Sequence, residues 1–441
     1  MSAPWSNGSV PGARPGLLLV LVEEALRASV PVILIDVKGD LSNLLLTFPE
    51  LSAQQFAPWV DARAAARSGS TSEEVAQQLA VQWRQKLAEW RLGPDAVAAQ
   101  RESVAGRVFT PGSQAGEPLS VLSSLERRSP LWDTDLEVAR EALSASISLL
   151  LRLMGRDPDP TRSRDHVLLS IFAERRLRAG QPADVAALLE DVRTPPIANV
   201  GAMAVNDFVP KRDRQALATG LNTLLASPTF ESWRAGAPLA VESWLAPRSD
   251  GRTSATIVSV AHLDDEERSL VLGLLLEQTL AWVRTQQGTE QLRALLVFDE
   301  VYGFVPPHPA NPPTKRPIVS LMKQARAFGL GVVLATQNPM DLDYRALSNA
   351  GLWCIGRLAT DADRQRVVEA MADAAGSTAD AETLGTTLKM LAPRWFLLRN
   401  AHRASELWLL QSRTTLCWLR GPLTRTDLRR LAAVRPGRRP A

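Results

Sequence analysis

Histidine and cysteine are scarce in this chain of 441 residues, which contains four histidines and two cysteines. Structural zinc sites take four Cys or His ligands, usually in closely spaced pairs. The histidines show no such spacing, and they are His166, His262, His308 and His402. Two cysteines are also too few for the disulfide framework of a small secreted domain. The sequence therefore predicts neither a histidine or zinc centre nor a disulfide-stabilised fold.

Long apolar runs are missing as well. A membrane-spanning helix needs about 20 consecutive, mostly apolar residues. The nearest approach is Leu17–Val22, which is followed at once by Glu23 and Glu24. That run is also too short for the core of a signal peptide. We expect a cytoplasmic protein without a membrane partner.

Lysine is the third scarce residue type, because six of the 50 basic residues are lysine and the others are arginine. The net charge of +3 is too small to indicate nucleic-acid binding by itself. Hydrophobic content of 45% and charged content of 22% are typical of a globular protein. At roughly 100–200 residues per domain, the length allows two to four domains.

The most informative stretch of the chain runs from Leu292 to Pro339. An apolar strand, LRALLVFDE, ends in Asp299 and Glu300, and a later apolar strand, LGVVLATQNP, carries Gln337 near its end. In nucleotide-hydrolysing enzymes with a parallel sheet, such residues meet at the carboxyl edge of the sheet. There, Asp299 would hold Mg²⁺, Glu300 would be the general base that polarises water, and Gln337 would sense the terminal phosphate. Acids that merely follow a strand and cap the next turn are the competing interpretation.

Strands and helices alternate around this stretch. A helix is predicted from Gly16, a buried strand over residues 30–36 and another over residues 253–260. Asp264 is predicted to cap the following long helix. The fold class is therefore α/β, with a RecA-like, mostly parallel sheet flanked by helices and a large, mainly helical insertion.

The predicted domain organisation divides the chain into four parts. Residues 1–60 form the N-terminal part of the ATPase core, and residues 61–250 form the helical insertion, within which Val108 and Phe109 are predicted as a lone short strand. Residues 251–412 form the C-terminal part of the core, with the acid pair and the sensor strand. Residues 413–441 form a basic C-terminal helix and tail.

The residues just before the first helix are the candidate for a phosphate-binding loop. A P-loop has the pattern GxxxxGK(S/T), in which glycines let backbone N–H groups wrap the phosphates and a hydroxyl binds Mg²⁺. Gly8 matches the first glycine of the pattern. Ala13 stands where the pattern has its second glycine, Arg14 where it has lysine, and Pro15 where it has serine or threonine. Proline removes an N–H group, and arginine is not a compact ammonium. The candidate residues for holding a nucleotide at this loop are Gly8, Gly12, Arg14 and Gly16.

A family resemblance is carried by four stretches: GLLLVLVEEALRASVPVILIDVKGDLSNLLLTFPEL, LRALLVFDEVYGFVPP, NPPTKRPIVSLMKQARAFGLGVVLATQNPMDLDYRALSNAGLWCIGRL and LLQSRTTLCWLRGPLTR. These resemble bacterial ATP-binding proteins of the HerA/FtsK-like superfamily with a HerA-type helicase domain, over about residues 8 to 432. The resemblance implies a RecA-like ATPase that binds ATP and Mg²⁺. It also implies a homo-oligomer, a hexamer, related to pumps that move duplex DNA.

The resemblance also assigns individual residues. Its Asp-Glu pair corresponds to Asp299 and Glu300, its glutamine to Gln337, and its Asp-x-Lys-Gly-Asp motif to residues 36–40. Within that motif, Asp36 and Lys38 are further candidates for binding the nucleotide. Two further candidates come from the residues themselves: Arg326 and Arg357 would be arginine fingers supplied across a subunit interface, with ordinary salt bridges as the competing interpretation. Proteins of this kind begin upstream with a strand and an intact loop, so the start of this chain is expected to be missing or replaced.

Competing hypotheses follow. The first is an ATP-driven DNA translocase or helicase-like motor subunit. The second is a catalytically impaired or truncated homologue that keeps the fold and has a structural or regulatory role, as the altered loop at Arg14 and Pro15 suggests. A third is a DNA- or protein-binding module that uses the helical insertion.

Overall fold

The structure is a computed structural model, and it describes residues 13–337, 342–358, 360–373, 381–400 and 407–434. The strands within these residues are β1 (Val32–Asp36), β2 (Val104–Phe109), β3 (Leu119–Ser120), β4 (Asn199–Val200), β5 (Met203–Ala204), β6 (Ala237–Pro238), β7 (Thr253–Ser259), β8 (Ala294–Phe298), β9 (Leu330–Leu334), β10 (Leu352–Ile355), β11 (Trp395–Asn400) and β12 (Leu407–Gln411).

The α-helices of the same residues are α1 (Ala13–Arg27), α2 (Ala53–Phe56), α3 (Ala62–Arg67), α4 (Ser72–Ala88), α5 (Pro94–Ser103), α6 (Ser123–Glu126), α7 (Leu131–Thr134), α8 (Leu136–Leu153), α9 (Arg164–Arg178), α10 (Val185–Arg193), α11 (Val205–Phe208), α12 (Lys211–Ala226), α13 (Glu231–Arg234), α14 (Val241–Leu245), α15 (Asp265–Thr285), α16 (Lys315–Gln324), α17 (Tyr344–Leu347), α18 (Asp361–Asp373), α19 (Ala381–Met390) and α20 (Arg425–Val434). Short 3₁₀ helices cover Leu41–Leu45, Ala57–Trp59 and Ala325–Phe328.

The central sheet has the strand order β2-β7-β1-β8-β9 in the part of the chain that the structure describes. Every neighbouring pair is parallel, and Val32 of β1 lies opposite Ala255 of β7 and Leu295 of β8. Helices cover the sheet, as they must when its strands are linked by crossovers. The predicted α/β class with a mostly parallel sheet is confirmed.

Both faces of β1 are buried, which explains why its sequence is apolar at every residue before Asp36. Ile33 and Ile35 belong to a large hydrophobic cluster that includes residues of α8, α9 and α15. Val32 and Leu34 point the other way and join a second cluster with residues of α1 and α4. Because successive side chains of a strand alternate between faces, an uninterrupted apolar run fits a strand covered on both sides.

One of two helices near the sheet begins where local sequence signals predict. The Asp264 side chain accepts a hydrogen bond from Glu267 N–H at 2.8 Å, and the Glu267 side chain accepts one from Asp264 N–H, which completes a capping box for α15. The first helix, α1, begins at Ala13, slightly before the predicted start at Gly16.

The edge strand β2 differs from the sequence expectation. Val108 and Phe109 are not a lone short strand, because β2 begins at Val104 and pairs in parallel with β7 over its whole length. Gly106 and Arg107 interrupt its apolar pattern, and the Arg107 guanidinium reaches Glu117 at 2.6 Å. An edge strand tolerates such residues because one side of it faces no other strand. The mainly helical interval 61–250 therefore also supplies a strand of the central sheet.

A smaller antiparallel sheet follows the central one, in the order β10-β11-β12. Its core unites Ile355 and Leu397 with Val367 of α18 and Leu388 of α19. α18 begins with a side-chain cap, since Thr360 Oγ1 accepts a hydrogen bond from Asp363 N–H at 3.1 Å. Residues 401–406 lie outside the described part of the chain. The sequence favours a strand over about residues 405–411, so its first two residues fall there.

The segment between β12 and α20, residues 412–424, is here named the C-terminal strap. Arg413 NH1 lies 2.7 Å from Glu23 Oε2 on α1, and the backbone N–H groups of Leu416 and Cys417 also donate to Glu23. Further along, Leu423 N–H donates to Gly39 O at 3.1 Å. The strap therefore joins α1 to the turn that follows β1.

No helix among the described residues combines the length and apolar character needed to cross a membrane. Both cysteines are free; Cys417 is buried in the strap, and Cys354 is exposed on β10.

Candidate functional site

Three strands of the central sheet end at one edge, and polar residues follow each of them. β1 ends at Asp36 and leads into a turn that carries Lys38, Asp299 and Glu300 follow β8, and Gln337 follows β9. Because these strands are adjacent and parallel, their carboxyl ends lie side by side. The structure thus brings together residues that are far apart in the sequence.

Glu300 is the point at which these segments meet. Its Oε1 atom accepts a hydrogen bond from Lys38 Nζ at 2.7 Å and another from Gln337 Nε2 at 2.6 Å. The Glu300 backbone has φ of +53°, a left-handed conformation that is uncommon for a residue with a side chain. Pairing with β9 continues past this residue, since Val301 N–H donates to Ala335 O at 2.9 Å. The left-handed turn at Glu300 is therefore held on both sides by hydrogen bonds.

Asp36 builds the turn that presents Lys38. Its carboxylate is 1% exposed and accepts hydrogen bonds from Gly39 N–H at 2.7 Å and from Ser42 N–H and Oγ at 3.1 and 3.0 Å. Burial raises the pKa of Asp36 above its ordinary value, although these hydrogen bonds act in the opposite direction. Gly39 has φ of +91°, which a residue with a Cβ adopts only with strain. The Asp36 carboxylate thus holds the turn in its shape through these hydrogen bonds.

Asp299 carries an unfavourable negative charge. Its carboxyl is 9% exposed, and one oxygen accepts a hydrogen bond from Glu300 N–H at 3.0 Å. Burial, and after it the negative charges of Glu300 and Asp36, raise the pKa of Asp299 to about 6. Burial also raises the pKa of Asp40, with Lys38 acting in the opposite direction. This edge of the sheet is therefore rich in carboxylates that a bound cation would stabilise.

The phosphate-loop candidates are only partly described. Gly8 and Gly12 lie outside the described residues, and so does the side chain of Arg14, whose backbone belongs to the first turn of α1. Pro15 stands in the same turn. A Cβ placed on Gly16 would meet no atom within 4 Å, so the structure does not require glycine there.

The two arginine candidates lie apart from the acid pair along the chain. Arg326 is exposed in the 3₁₀ helix just before β9, whereas Gln337 follows the opposite end of that strand. Arg357 is exposed after β10, in the antiparallel sheet. Each would act on a neighbouring subunit if it acted on a nucleotide.

The chain is similar to several solved structures. It matches the truncated, unbound bacterial conjugative coupling protein TrwB with 12% identity over 95% of this chain and 86% of that one, at a TM-score of 0.47. VirB4 of Thermoanaerobacter pseudethanolicus matches with 13% identity over 91% and 87% of the two chains, at a TM-score of 0.46. No protein-family model matches the chain, and no curated protein sequence matches it.

A viral protein gives a shorter match. The genome packaging NTPase B204 from Sulfolobus turreted icosahedral virus 2, in complex with AMPPCP, is 15% identical over 35% of this chain, with a TM-score of 0.26. That match spans 66% of the viral protein, just under two thirds of its length. At such identities and TM-scores, similarity does not carry an activity from one protein to another.

The residues present fit a magnesium ion only as part of a complex with substrate. Mg²⁺ in nucleotide sites is bound by one or two carboxylates together with phosphate oxygens and water. Asp299 offers such a carboxylate, and because burial and neighbouring acids raise its pKa, a cation bound there would stabilise its charged form. The described residues contain no group of three or more His, Cys, Asp or Glu that could hold a metal by themselves. Pro15 supplies no hydroxyl ligand.

Sequence reasoning missed the residues that support the Lys38 turn. Ser42 binds Asp36, and Asn43 Nδ2 donates both to Asp40 O at 2.7 Å and to Gly421 O at 3.0 Å. Gly421 belongs to the C-terminal strap, so the strap also helps to hold this turn. A serine six residues after a strand-end aspartate is too common a pattern to have revealed this arrangement.

Proposed function

We propose that this protein is an ATP-dependent motor subunit of the HerA/FtsK-like superfamily, with ATP as its substrate and duplex DNA as the molecule it moves. The observation that supports this most is the convergence of Lys38, Glu300 and Gln337 at the carboxyl edge of a parallel sheet, beside the buried Asp299. That arrangement matches the needs of phosphoryl transfer to water, in which positioning and charge stabilisation provide most of the catalysis.

The reaction proposed is hydrolysis of the terminal phosphate of ATP. Glu300 orients a water molecule and accepts its proton as the water oxygen bonds to the terminal phosphorus. The bond from that phosphorus to the bridging oxygen breaks, and ADP leaves with the electron pair. Gln337, which contacts Glu300 directly, is placed to respond to the presence of the phosphate. When bound at Asp299, Mg²⁺ supplies neutralisation of the phosphate oxygens.

The assembly proposed is a hexamer in the cytoplasm. Arg326 and Arg357 are exposed, as a residue that completes the site of a neighbouring subunit would have to be. Duplex DNA as partner and the hexameric state both rest on the family resemblance of the sequence.

Substitution of Glu300 tests the proposal. We expect purified protein to hydrolyse ATP and duplex DNA to stimulate it, and we expect Glu300→Gln to lower kcat by about 10²–10⁴-fold, because a general base contributes this much. Phosphate release measured with and without DNA reports both effects. Glu290→Gln is the matched control, since Glu290 is exposed before the amino end of the same strand, β8. Equal activity of the Glu300 and Glu290 variants would contradict the proposal.

A catalytically impaired homologue with a structural or regulatory role is the second candidate. Pro15 in the first turn of α1 favours it, because this residue offers neither an N–H group nor a hydroxyl for the phosphates. Titration calorimetry with millimolar ATP separates the two functions. No binding by the natural chain, followed by binding after Ala13→Gly, Arg14→Lys and Pro15→Thr, would establish the impaired form.

A further inference from the structure

We propose that Lys38 is a positioning residue for Glu300, which holds the glutamate carboxylate in its working orientation and is not itself a ligand of the phosphate. This inference rests on the proposed hydrolysis of ATP. It concerns a contact between residues 262 positions apart in the chain, with the Lys38 ammonium 2.7 Å from Glu300 Oε1.

The two donors on Glu300 act together. Lys38 Nζ and Gln337 Nε2 both bind Oε1, at 2.7 and 2.6 Å. An oxygen that accepts two hydrogen bonds from different strand ends is fixed in direction, and Oε2 is the oxygen that neither of these donors uses. A carboxylate fixed in this way presents one free edge to a water molecule, which is the arrangement a general base needs.

The backbone that carries Lys38 is itself held in place. The buried Asp36 carboxylate accepts hydrogen bonds from Gly39 N–H and from Ser42, and Leu423 of the C-terminal strap donates to Gly39 O at 3.1 Å. Because the backbone of Lys38 is fixed on both sides, its side chain starts from a defined position. From there the ammonium reaches Glu300.

The negative charges around Glu300 show which repulsion the Lys38 ammonium offsets. Asp299 directly precedes Glu300, and Asp40 lies two residues after Lys38, so two further carboxylates share this edge of the sheet with Glu300. Without the ammonium, the Glu300 carboxylate would be repelled by these neighbouring acids and would turn away from Gln337. Lys38 is thus the cation that makes the observed orientation of Glu300 favourable.

The test compares Lys38→Met in the natural background and in the Glu300→Gln background. In the natural background we expect kcat to fall at least about tenfold, and the Kd of a non-hydrolysable ATP analogue to change less than about threefold, since orientation is lost and binding is kept. Lys38→Arg should restore part of kcat. Lys323→Met, at an exposed lysine of α16, is the control and should change neither quantity. An increase of Kd by tenfold or more in both backgrounds would overturn the inference and make Lys38 a phosphate ligand.

A nucleotide-free measurement keeps the inference testable on its own. If the natural chain shows no turnover, the proposed function fails, and the contact is then tested by a double-mutant cycle of Lys38→Met and Glu300→Ala on the urea unfolding midpoint. We expect the double variant to unfold at a higher urea concentration than the two single effects predict when added, because each single change removes the same interaction. Additive effects would overturn the inference independently of any ATPase activity.

Discussion

At the scale of single residues, the energetics of the site centre on Asp299. Its carboxyl is 9% exposed, and burial and two neighbouring acids raise its pKa to about 6. A group whose pKa is higher in the folded than in the unfolded protein favours folding when protonated. Its contribution is present below the ordinary pKa of 3.8 and is lost as the pH rises through about 6.

Asp299→Asn should therefore stabilise the protein in a pH-dependent way. A rise from 3.8 to about 6 corresponds to roughly 3 kcal/mol, the upper limit of the gain in the free energy of unfolding at pH 7. Below pH 4 the variant and the natural protein should be alike. Urea unfolding at pH 4, 5, 6 and 7 measures the difference. The exposed Asp95→Asn serves as control, and a gain from Asp299→Asn that does not vary with pH would contradict the expectation.

The acids and Gln337 could be found from the sequence because each follows an apolar strand, and strand ends are visible in a linear pattern. The partner of Lys38 could not be found in this way. Its contact with Glu300 depends on the order of β1 and β8 in the sheet, and the chain between them, which includes a long helical interval, does not reveal that order. The left-handed backbone of Glu300 leaves no sequence signal either, since glutamate is not a residue type that favours it.

At the scale of secondary-structure elements, β9 is an open edge. It pairs with β8 and, within the described residues, with no other strand. The strand carries no charged residue and no proline, the usual means by which edge strands avoid further pairing. Ala335 N–H donates to Phe298 O on β8, so Val333 also points its N–H toward β8, while Val332 and Leu334 point theirs outward.

Hydrogen exchange should show this alternation. We expect the amides of Val332 and Leu334 to exchange much faster than that of Val333. Those of β1 should be the most protected, because it is the middle strand of the sheet. Residue-resolved exchange by NMR or by fragmentation mass spectrometry measures it. Equal protection of Val332, Val333 and Leu334 would show that another strand covers the edge in solution.

The central strands were predictable and an edge strand was not, for one physical reason. β1 and β8 are buried on both faces, so nearly every residue in them is apolar and the pattern is plain. β2 has partners on one side only, and Gly106 and Arg107 are acceptable in its middle. Its sequence therefore resembles a loop, and only the pairing with β7 identifies it.

At the scale of the whole molecule, the C-terminal strap closes the structure over the first helix. Glu23 on α1 is completely buried, and burial raises its pKa despite the opposing effect of Arg413. Within the described residues, its carboxylate accepts hydrogen bonds from the Arg413 guanidinium and from the backbone N–H groups of Leu416 and Cys417. A buried charge that has one cationic partner depends on that partner strongly.

Arg413→Met should lower the free energy of unfolding by about 3–5 kcal/mol, because it leaves the Glu23 carboxylate buried without its cation. The double variant Glu23→Gln, Arg413→Met should recover a large part of the loss. Arg27→Met is the control on the same helix, since Arg27 pairs with Glu24 at the surface and should cost under about 1 kcal/mol. Urea unfolding measures all of these variants, and equal losses from Arg413→Met and Arg27→Met would contradict the expectation.

The Glu23–Arg413 contact also has a consequence for biosynthesis. The two residues are 390 positions apart, so after Glu23 the ribosome must add 390 residues before Arg413 is available to it. Until then, burial of the Glu23 carboxylate of α1 is unfavourable. β1 likewise cannot pair with β7 and β8 until those strands have been made. Domains usually fold from the N-terminus as they are synthesised. Here α1 is made well before Arg413, and it cannot reach its final, buried place until the strap has been synthesised.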